Sequence, residues 1–256
     1  MAESEQPEHA STLERWARDG REGLPPVHAA TVILLREGET GLETLMLRRN
    51  SKIVFGGMWV FPGGRVDPED WAGVPEGDEL AAARRTARRE CLEECGLLVD
   101  PDEMHPFSHW TPPPITPKRF LTWFFVAPAR AGTVAIDHGE IHEHAWMSPA
   151  EALRRQQARE IELAPPTYVT LHELSAFGEL AEAMAATRAR SPERFQTRIG
   201  VVDSGPIAMW HGDAGYETTD PSREGDRHRL TMARGGPWRY ERSTRVGARI
   251  PLPPFG

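Results

Sequence analysis

Arg89-Glu90-Cys91-Leu92-Glu93-Glu94-Cys95-Gly96-Leu97 puts three carboxylates into five residues and then stops at a glycine. Upstream, Asp78 to Ala87 is rich in alanine and arginine, both good helix formers. Gly96 is the residue type that ends such a helix. Helical positions three and four apart are neighbours, so Glu90, Glu93 and Glu94 crowd one side. Like charges this close repel and give the helix nothing, whereas a divalent cation reverses the sign of their interaction. Hard oxygen donors, with no imidazole or thiolate on that face, suit Mg²⁺ or Mn²⁺ rather than Zn²⁺. The plainer alternative is a solvated acidic face.

The preceding segment favours the metal reading. Trp59-Val60-Phe61-Pro62-Gly63-Gly64 is a short apolar run ending in a Pro-Gly-Gly turn. Residues without side chains let the backbone approach a metal-bound phosphate. A double-glycine loop leading to a carboxylate-rich helix resembles the Nudix hydrolase family, whose signature is G-x5-E-x7-R-E-U-x-E-E-x-G-U with U apolar. Arg89 to Leu97 satisfies the second half, with Cys91 and Leu97 as apolar positions. The first half departs. Gly64 and Arg89 are 25 positions apart where the signature has 14, an insertion of 11 residues, and Ala81 stands where a loop-supporting glutamate is expected. Glu79 and Asp78 lie nearby but out of register.

A split box of this kind is similar to the branch containing the peroxisomal coenzyme A diphosphatases. Further matches are Leu45-Met46-Leu47-Arg48-Arg49, Gly57, and Thr116-Pro117-Lys118-Arg119-Phe120 with Thr122 and Phe124-Phe125. Arg48, Gly57 and Phe61 to Gly64 fit the short motif of that branch, while Ile53 replaces its arginine. The resemblance spans about residues 27–190. It implies an α/β/α sandwich with a mixed β-sheet and metal-dependent hydrolysis of a nucleoside diphosphate derivative. Glu90, Glu93 and Glu94, with a carbonyl of Gly63 or Gly64, are the implied ligands of Mg²⁺ or Mn²⁺. Arg89, one turn from Glu93, orients that carboxylate. Catalysis is assigned to Glu93, Glu90 and Arg89. Coenzyme A or an acyl derivative is the first substrate expected. ADP-ribose or another nucleotide sugar is second, and a proline past the box, among Pro112 to Pro114, points that way.

Basic residues near the loop are the phosphate candidates, because arginine grips phosphate as a bidentate fork. Arg48 is the first, beside Arg49 and Lys52, and Arg119 is the second. A further acid is expected from Glu140 or Glu143, or else from Glu160 or Glu162. His138, His142 and His144 have no standard zinc spacing.

The chain has 256 residues, a net charge of −8 and a pI near 5.7, which gives no general attraction to nucleic acid or to an anionic membrane. No run reaches the roughly 18 apolar residues of a membrane span. The polar, acidic N-terminus is not a signal peptide. Cys91 and Cys95, the two cysteines, read as reduced packed thiols in a cytoplasmic protein, with a redox pair as the sharper alternative.

Three regions are expected. Residues 1–26 form a tail and a short helix from Ser11 to Asp19, capped by Ser11 or Thr12. Residues 27–190 form the Nudix domain. They open with a hairpin of strands Val27–Leu35 and Leu42–Arg48. Arg65 to Gly77 is a surface loop pinned by Trp71. Arg119 to Ala127 is a central strand, Ser148-Pro149 starts a helix, and one long helix covers Thr167 to Arg188. Residues 191–256 form a β-rich extension packed on the core, which supplies a substrate wall or a homodimer contact. A rival from another class is a Nudix-like module that senses a nucleotide without cleaving it. The retained Arg-Glu and Glu-Glu pairs argue against that.

Overall fold

In the computed structural model, residues 9–19, 24–50 and 56–243 are described. Lys52 and Ile53 lie outside them. The chain forms two compact units.

The larger unit comprises Pro26–Trp110 and Phe120–Glu193. Its sheet is built on β1 (Val27–Gly38), which turns back tightly into β2 (Gly41–Arg49), pairing Gly38 with Gly41. Next come β3 (Trp59–Val60), β4 (Gly63–Arg65), β5 (His105–Thr111), β6 (Phe120–Pro128) and β7 (Ile141–Met147). The order runs β3-β2-β1-β6-β5, with β4 added to β1 and β7 to β2. β1 and β6 are parallel and the other pairs antiparallel, so the sheet is mixed. β1 carries an almost unbroken apolar run because both faces of a central strand are covered.

One face meets α2 (Glu79–Cys95). Ala83, Ala87, Cys91 and Cys95 recur every four residues, and all four are buried against Ala30, Val32 and Leu34 of β1 and Trp123 and Phe125 of β6. Small side chains on that stripe let the helix lie close to the sheet. The Cys91 and Cys95 sulfurs are 3.6 Å apart, free and buried, in keeping with packed thiols. Asp78 caps the helix through a 3.0 Å bond from the Ala81 amide, and Gly96 ends it with φ 71°, where glycine is unstrained. On the other face α3 (Pro149–Gln157) contacts β2, and α5 (Leu180–Ala189) contacts β1 and β6. Ser148 caps α3.

Residues 167–188 and 65–77 depart from expectation. The single helix over 167–188 is two, α4 (Pro165–Leu174) and α5. Gly178 lies at the break. Its carbonyl accepts from the Leu42 amide at 2.9 Å and its amide bonds Glu182, so the hairpin tip claims backbone that a continuous helix would use. Residues 65–77 are also more than a loop held by a tryptophan. They carry a short 3₁₀ turn, Pro68–Trp71, whose Asp70 is buried.

The smaller unit takes its described residues from Met1–Pro25, Thr111–Arg119 and Arg194–Gly256. α1 (His9–Asp19) begins before Ser11, so Ser11 and Thr12 lie within the helix rather than capping it. Leu13 is buried, and α1 lies on β9 and β10. β8 (Glu193–Gln196) spans the boundary between units. Four strands, β9 (Arg198–Val202), β10 (Gly205–Met209), β11 (His228–Met232) and β12 (Trp238–Arg242), make an antiparallel sheet in the order β12-β11-β10-β9. Asp213 and Arg229 form a buried ion pair in this unit, with Arg229 Nε 2.7 Å from Asp213 Oδ2. Among the described residues no helix is long and apolar enough to cross a membrane.

Candidate active site

The acidic end of α2 lies over β4. The two glycines of that strand face Thr31 and Ala30 of β1. They form strand backbone rather than the expected turn, and what they require is room. A Cβ on Gly63 would overlap the Ala30 carbonyl, and a Cβ on Gly64 would overlap the Glu90 carboxylate. The Gly63 amide donates to Glu94 Oε2 at 2.9 Å. The sequence reading assigned a carbonyl of this pair to the metal. The contact found here is made by an amide.

The three glutamates differ in exposure. Glu94 is buried, Glu90 is largely covered and Glu93 reaches solvent with 56% of its side chain exposed. Burial pushes the Glu94 carboxyl up to about 8. The Gly63 amide and Arg49 oppose that rise, and the neighbouring Glu90 and Glu140 charges add to it. Glu90 is also raised, chiefly by burial, with Arg89 opposing and with Glu93 and Glu140 contributing.

Arg89 organises the group. Its Nη1 donates to Glu90 Oε1 at 2.9 Å and to Glu93 Oε2 at 3.0 Å. Its other edge donates to Asp70, Nε to Oδ1 at 3.3 Å and Nη2 to Oδ2 at 2.9 Å, and Nη2 also reaches the Arg65 carbonyl. The Asp70 bonds are the main reason the guanidinium is held more firmly charged than usual.

Of the four downstream acids left open by the sequence, Glu140 is the one whose charge bears on both Glu90 and Glu94. It is placed by a tight turn. Asp137 accepts from the Glu140 and Ile141 amides, His138 has φ 56°, and the Asn50 amide donates to the Glu140 carbonyl at 2.7 Å. Glu143 pairs with Arg48 at 3.4 Å, and Glu160 with Arg155 at 3.2 Å. The Glu162 carbonyl accepts from the Trp59 amide. The cation beside the acids is Arg49, 2.8 Å from Glu140, rather than Arg48. Arg119 immediately precedes β6 and belongs to the smaller unit.

Two residues were missed by sequence reasoning. Arg49 was named only as a neighbour of Arg48, and the strand alternation that separates the two was the available signal. Asp70 did have a signal: it stands six positions after Gly64, where the first half of the signature has its acid, and counting back from Arg89 across the insertion to Ala81 passed over it.

The donor set fits a hard divalent cation. It is all oxygen, two of its carboxyls are destabilised as anions by burial, and Gly64 leaves space at Glu90 that a side chain would fill. Among the described residues no three acidic, His or Cys side chains form a closed cation cage. Each carboxylate is instead turned to a protein donor: Glu90 and Glu93 to Arg89, Glu94 to Gly63, Glu140 to Arg49.

A family model described as NUDIX domain matches residues 25–167, more than half of the chain. Among solved structures the chain is similar to a NUDIX hydrolase from Alicyclobacillus acidocaldarius, with 25% identity over 63% of this chain and 96% of that one, at a TM-score of 0.57. It is also similar to a MutT NUDIX hydrolase from Burkholderia pseudomallei (18% identity, 59% and 99% covered, TM-score 0.45). A third is the NUDIX domain of Shewanella oneidensis NrtR complexed with ADP ribose (15% identity, 65% and 90% covered, TM-score 0.46).

Proposed function

The chain belongs to the Nudix family of hydrolases acting on pyrophosphate bonds, and from that premise we propose that it is a Mg²⁺- or Mn²⁺-dependent diphosphatase for a nucleoside diphosphate derivative. Coenzyme A or an acyl-coenzyme A is the first substrate proposed. The observation that carries the metal dependence is the pairing of buried Glu94 with Gly63 beside Glu90, whose carboxylate lies where a Cβ on Gly64 would stand.

In this scheme Glu90, Glu93 and Glu94 hold the ion, with Glu140 as the further acid. A bound divalent ion neutralises charge on the diphosphate and acidifies the attacking water. Arg89 holds one oxygen of each of two carboxylates at one end of its fork, which limits how far they can swing. The base for the attacking water would be one of these glutamates, of which Glu93 reaches solvent, or the loop acid. Arg49, at the edge of the cluster and 2.8 Å from Glu140, would be a contact for substrate phosphate. Arg48 and Arg119 are proposed as further phosphate contacts on the sequence resemblance alone.

The support for coenzyme A is the split box and the partial motif of Arg48, Gly57 and Phe61 to Gly64. The test is Mg²⁺-dependent release of phosphorylated products from a panel of coenzyme A, ADP-ribose, NADH, dinucleoside polyphosphates and capped RNA, read by mass spectrometry. Turnover of ADP-ribose and not coenzyme A would replace the substrate and leave the reaction. No turnover of any member, with tight nucleotide binding, would favour a sensing module. Glu94→Gln should abolish turnover while the protein stays folded, because the amide keeps the shape of an acid that burial already disfavours as an anion. Wild-type rates from that variant would refute the metal assignment.

A further inference from the structure

We propose that the solvent face of α2 is a docking groove for an acidic peptide segment of a partner protein. Aliphatic side chains of that segment would lie on the apolar floor of the groove, with its carboxylates against the arginines around it. The inference stands apart from the hydrolase reading above, since it uses neither the three glutamates nor an ion.

The groove has a volume of about 570 Å³. One wall is the outer face of α2, where Arg84, Arg85, Arg88 and Leu92 recur at helical spacing. The other is Leu98 and Pro101, from the segment after the helix. Leu92 and Leu98 are 47% and 56% exposed, two of the four large apolar side chains left open among the described residues. A lone exposed leucine needs no explanation, but two in one concavity rimmed by charge form a patch. That charge is uncompensated. Arg84 donates to the Pro101 and Met104 carbonyls and Arg85 to the Asp70 and Ala72 carbonyls, all of them neutral acceptors. Arg88 has no hydrogen bond or ion pair among the described residues. Asp78 and Asp102 act on Arg84 only through space. Arg89 also borders the groove, but carboxylates already hold it.

Charge and shape select the occupant. Arg84 and Arg88 are one helical turn apart, so a fitting occupant offers more than one anionic group at about that spacing, together with apolar side chains. A fatty-acyl anion has a single charged head. A second copy meeting this face through a two-fold axis would set arginine against arginine. An anionic bilayer is too flat to reach the floor of a groove and is repelled by a chain of net charge −8. An acidic peptide with an aliphatic or aromatic residue every third or fourth position meets both demands. An amphipathic helix laid into an apolar groove is a recurring mode of recognition.

The experiment selects displayed random peptides of about 15 residues, enough for a helix of roughly four turns, on the full chain. The winning peptide is then measured by fluorescence anisotropy against wild type, Arg88→Glu, Leu98→Gln and Arg159→Glu, each with its melting temperature. Both altered groove side chains are exposed, so those melting temperatures should stay near wild type. The selected peptides should combine acidic with aliphatic or aromatic residues. Affinity should fall about 10-fold for Arg88→Glu and for Leu98→Gln, the effect of losing an interface anchor, and should weaken as salt is added. Arg159→Glu reverses an exposed charge outside the groove and should bind like wild type. The inference is overturned if no peptide is enriched, if the enriched peptides lack acids, or if Arg88→Glu and Leu98→Gln bind as wild type does. It is also overturned if Arg159→Glu loses as much affinity as Arg88→Glu, since that is the signature of net charge alone. Displacement of the peptide by dodecanoate or coenzyme A would assign the groove to a small anion instead. Self-association of wild type that Leu98→Gln abolishes, seen by analytical ultracentrifugation, would assign it to a second copy, and either result overturns the inference.

Discussion

At the scale of the residue, the site depends on side chains that are missing as much as on those present. Gly64 has no unusual requirement of backbone conformation. The Glu90 carboxylate occupies the space where a Cβ on Gly64 would be, so a side chain there requires that carboxylate to move. Gly64→Ala should therefore displace Glu90, lowering kcat/KM by about 100-fold, the usual effect of an ångström-scale misplacement of a reacting group. The accompanying loss of stability should be about 1–3 kcal/mol, typical of overpacking. Steady-state kinetics beside a denaturant titration checks both. A variant that loses stability and keeps its rate would show that Glu90 is not required where it stands. Asp70 belongs to the same scale. It holds a residue 19 positions away by two bonds, and its place six positions after Gly64, where the signature has an acid, was the signal that counting from Arg89 missed.

At the scale of the element, α2 was legible from end to end. Alanine and arginine favour the helix, Asp78 is a residue type that caps, and Gly96 is one that terminates. Asp78→Ala should cost about 1 kcal/mol, seen as a fall of about 2–4 °C in melting temperature for a protein of this size. The Mn²⁺ affinity should be nearly unchanged, because the cap is at the far end from the glutamates. Loss of metal binding in that variant would mean that the whole helix, rather than its acidic end, sets the site. The break between α4 and α5 was not legible. Helix formers continue on both sides of Gly178, and the decisive contact is its carbonyl with Leu42 of the hairpin. Propensity is a weak prior that a tertiary hydrogen bond overrides.

At the scale of the whole molecule, the smaller unit adds an acid-sensitive device of its own. Asp213 is buried, which opposes its ionisation. Arg229 and the His228 and Gly215 amides nevertheless hold its carboxyl below the ordinary 3.8. The folded state thus binds fewer protons here than the unfolded chain. The stability that results is present above the unfolded value and is lost as the pH falls through the folded one. Asp213→Ala should cost about 3–5 kcal/mol near neutrality, as loss of one partner of a buried pair does. The difference from wild type should begin to narrow below about pH 4, where the carboxyl of the unfolded chain takes up a proton, and should go on narrowing until the pH passes the lower folded value. Guanidinium unfolding followed by tryptophan fluorescence, near neutrality and in acid, measures this. A difference independent of pH would show that packing, rather than charge, accounts for the loss.

Sequence alone determined the family, the helix with its three acids, the glycine pair before it, the hairpin and the β-rich C-terminal region. These follow from local preferences and from fixed spacings along the chain. Tertiary structure decided what holds Arg89, which of four later acids lies beside the cluster, and that Arg49 faces it in place of Arg48. Those answers depend on contacts between residues far apart in sequence. An ion pair or a hydrogen bond needs only that its two ends meet in space, so its partners leave no periodic trace in the chain.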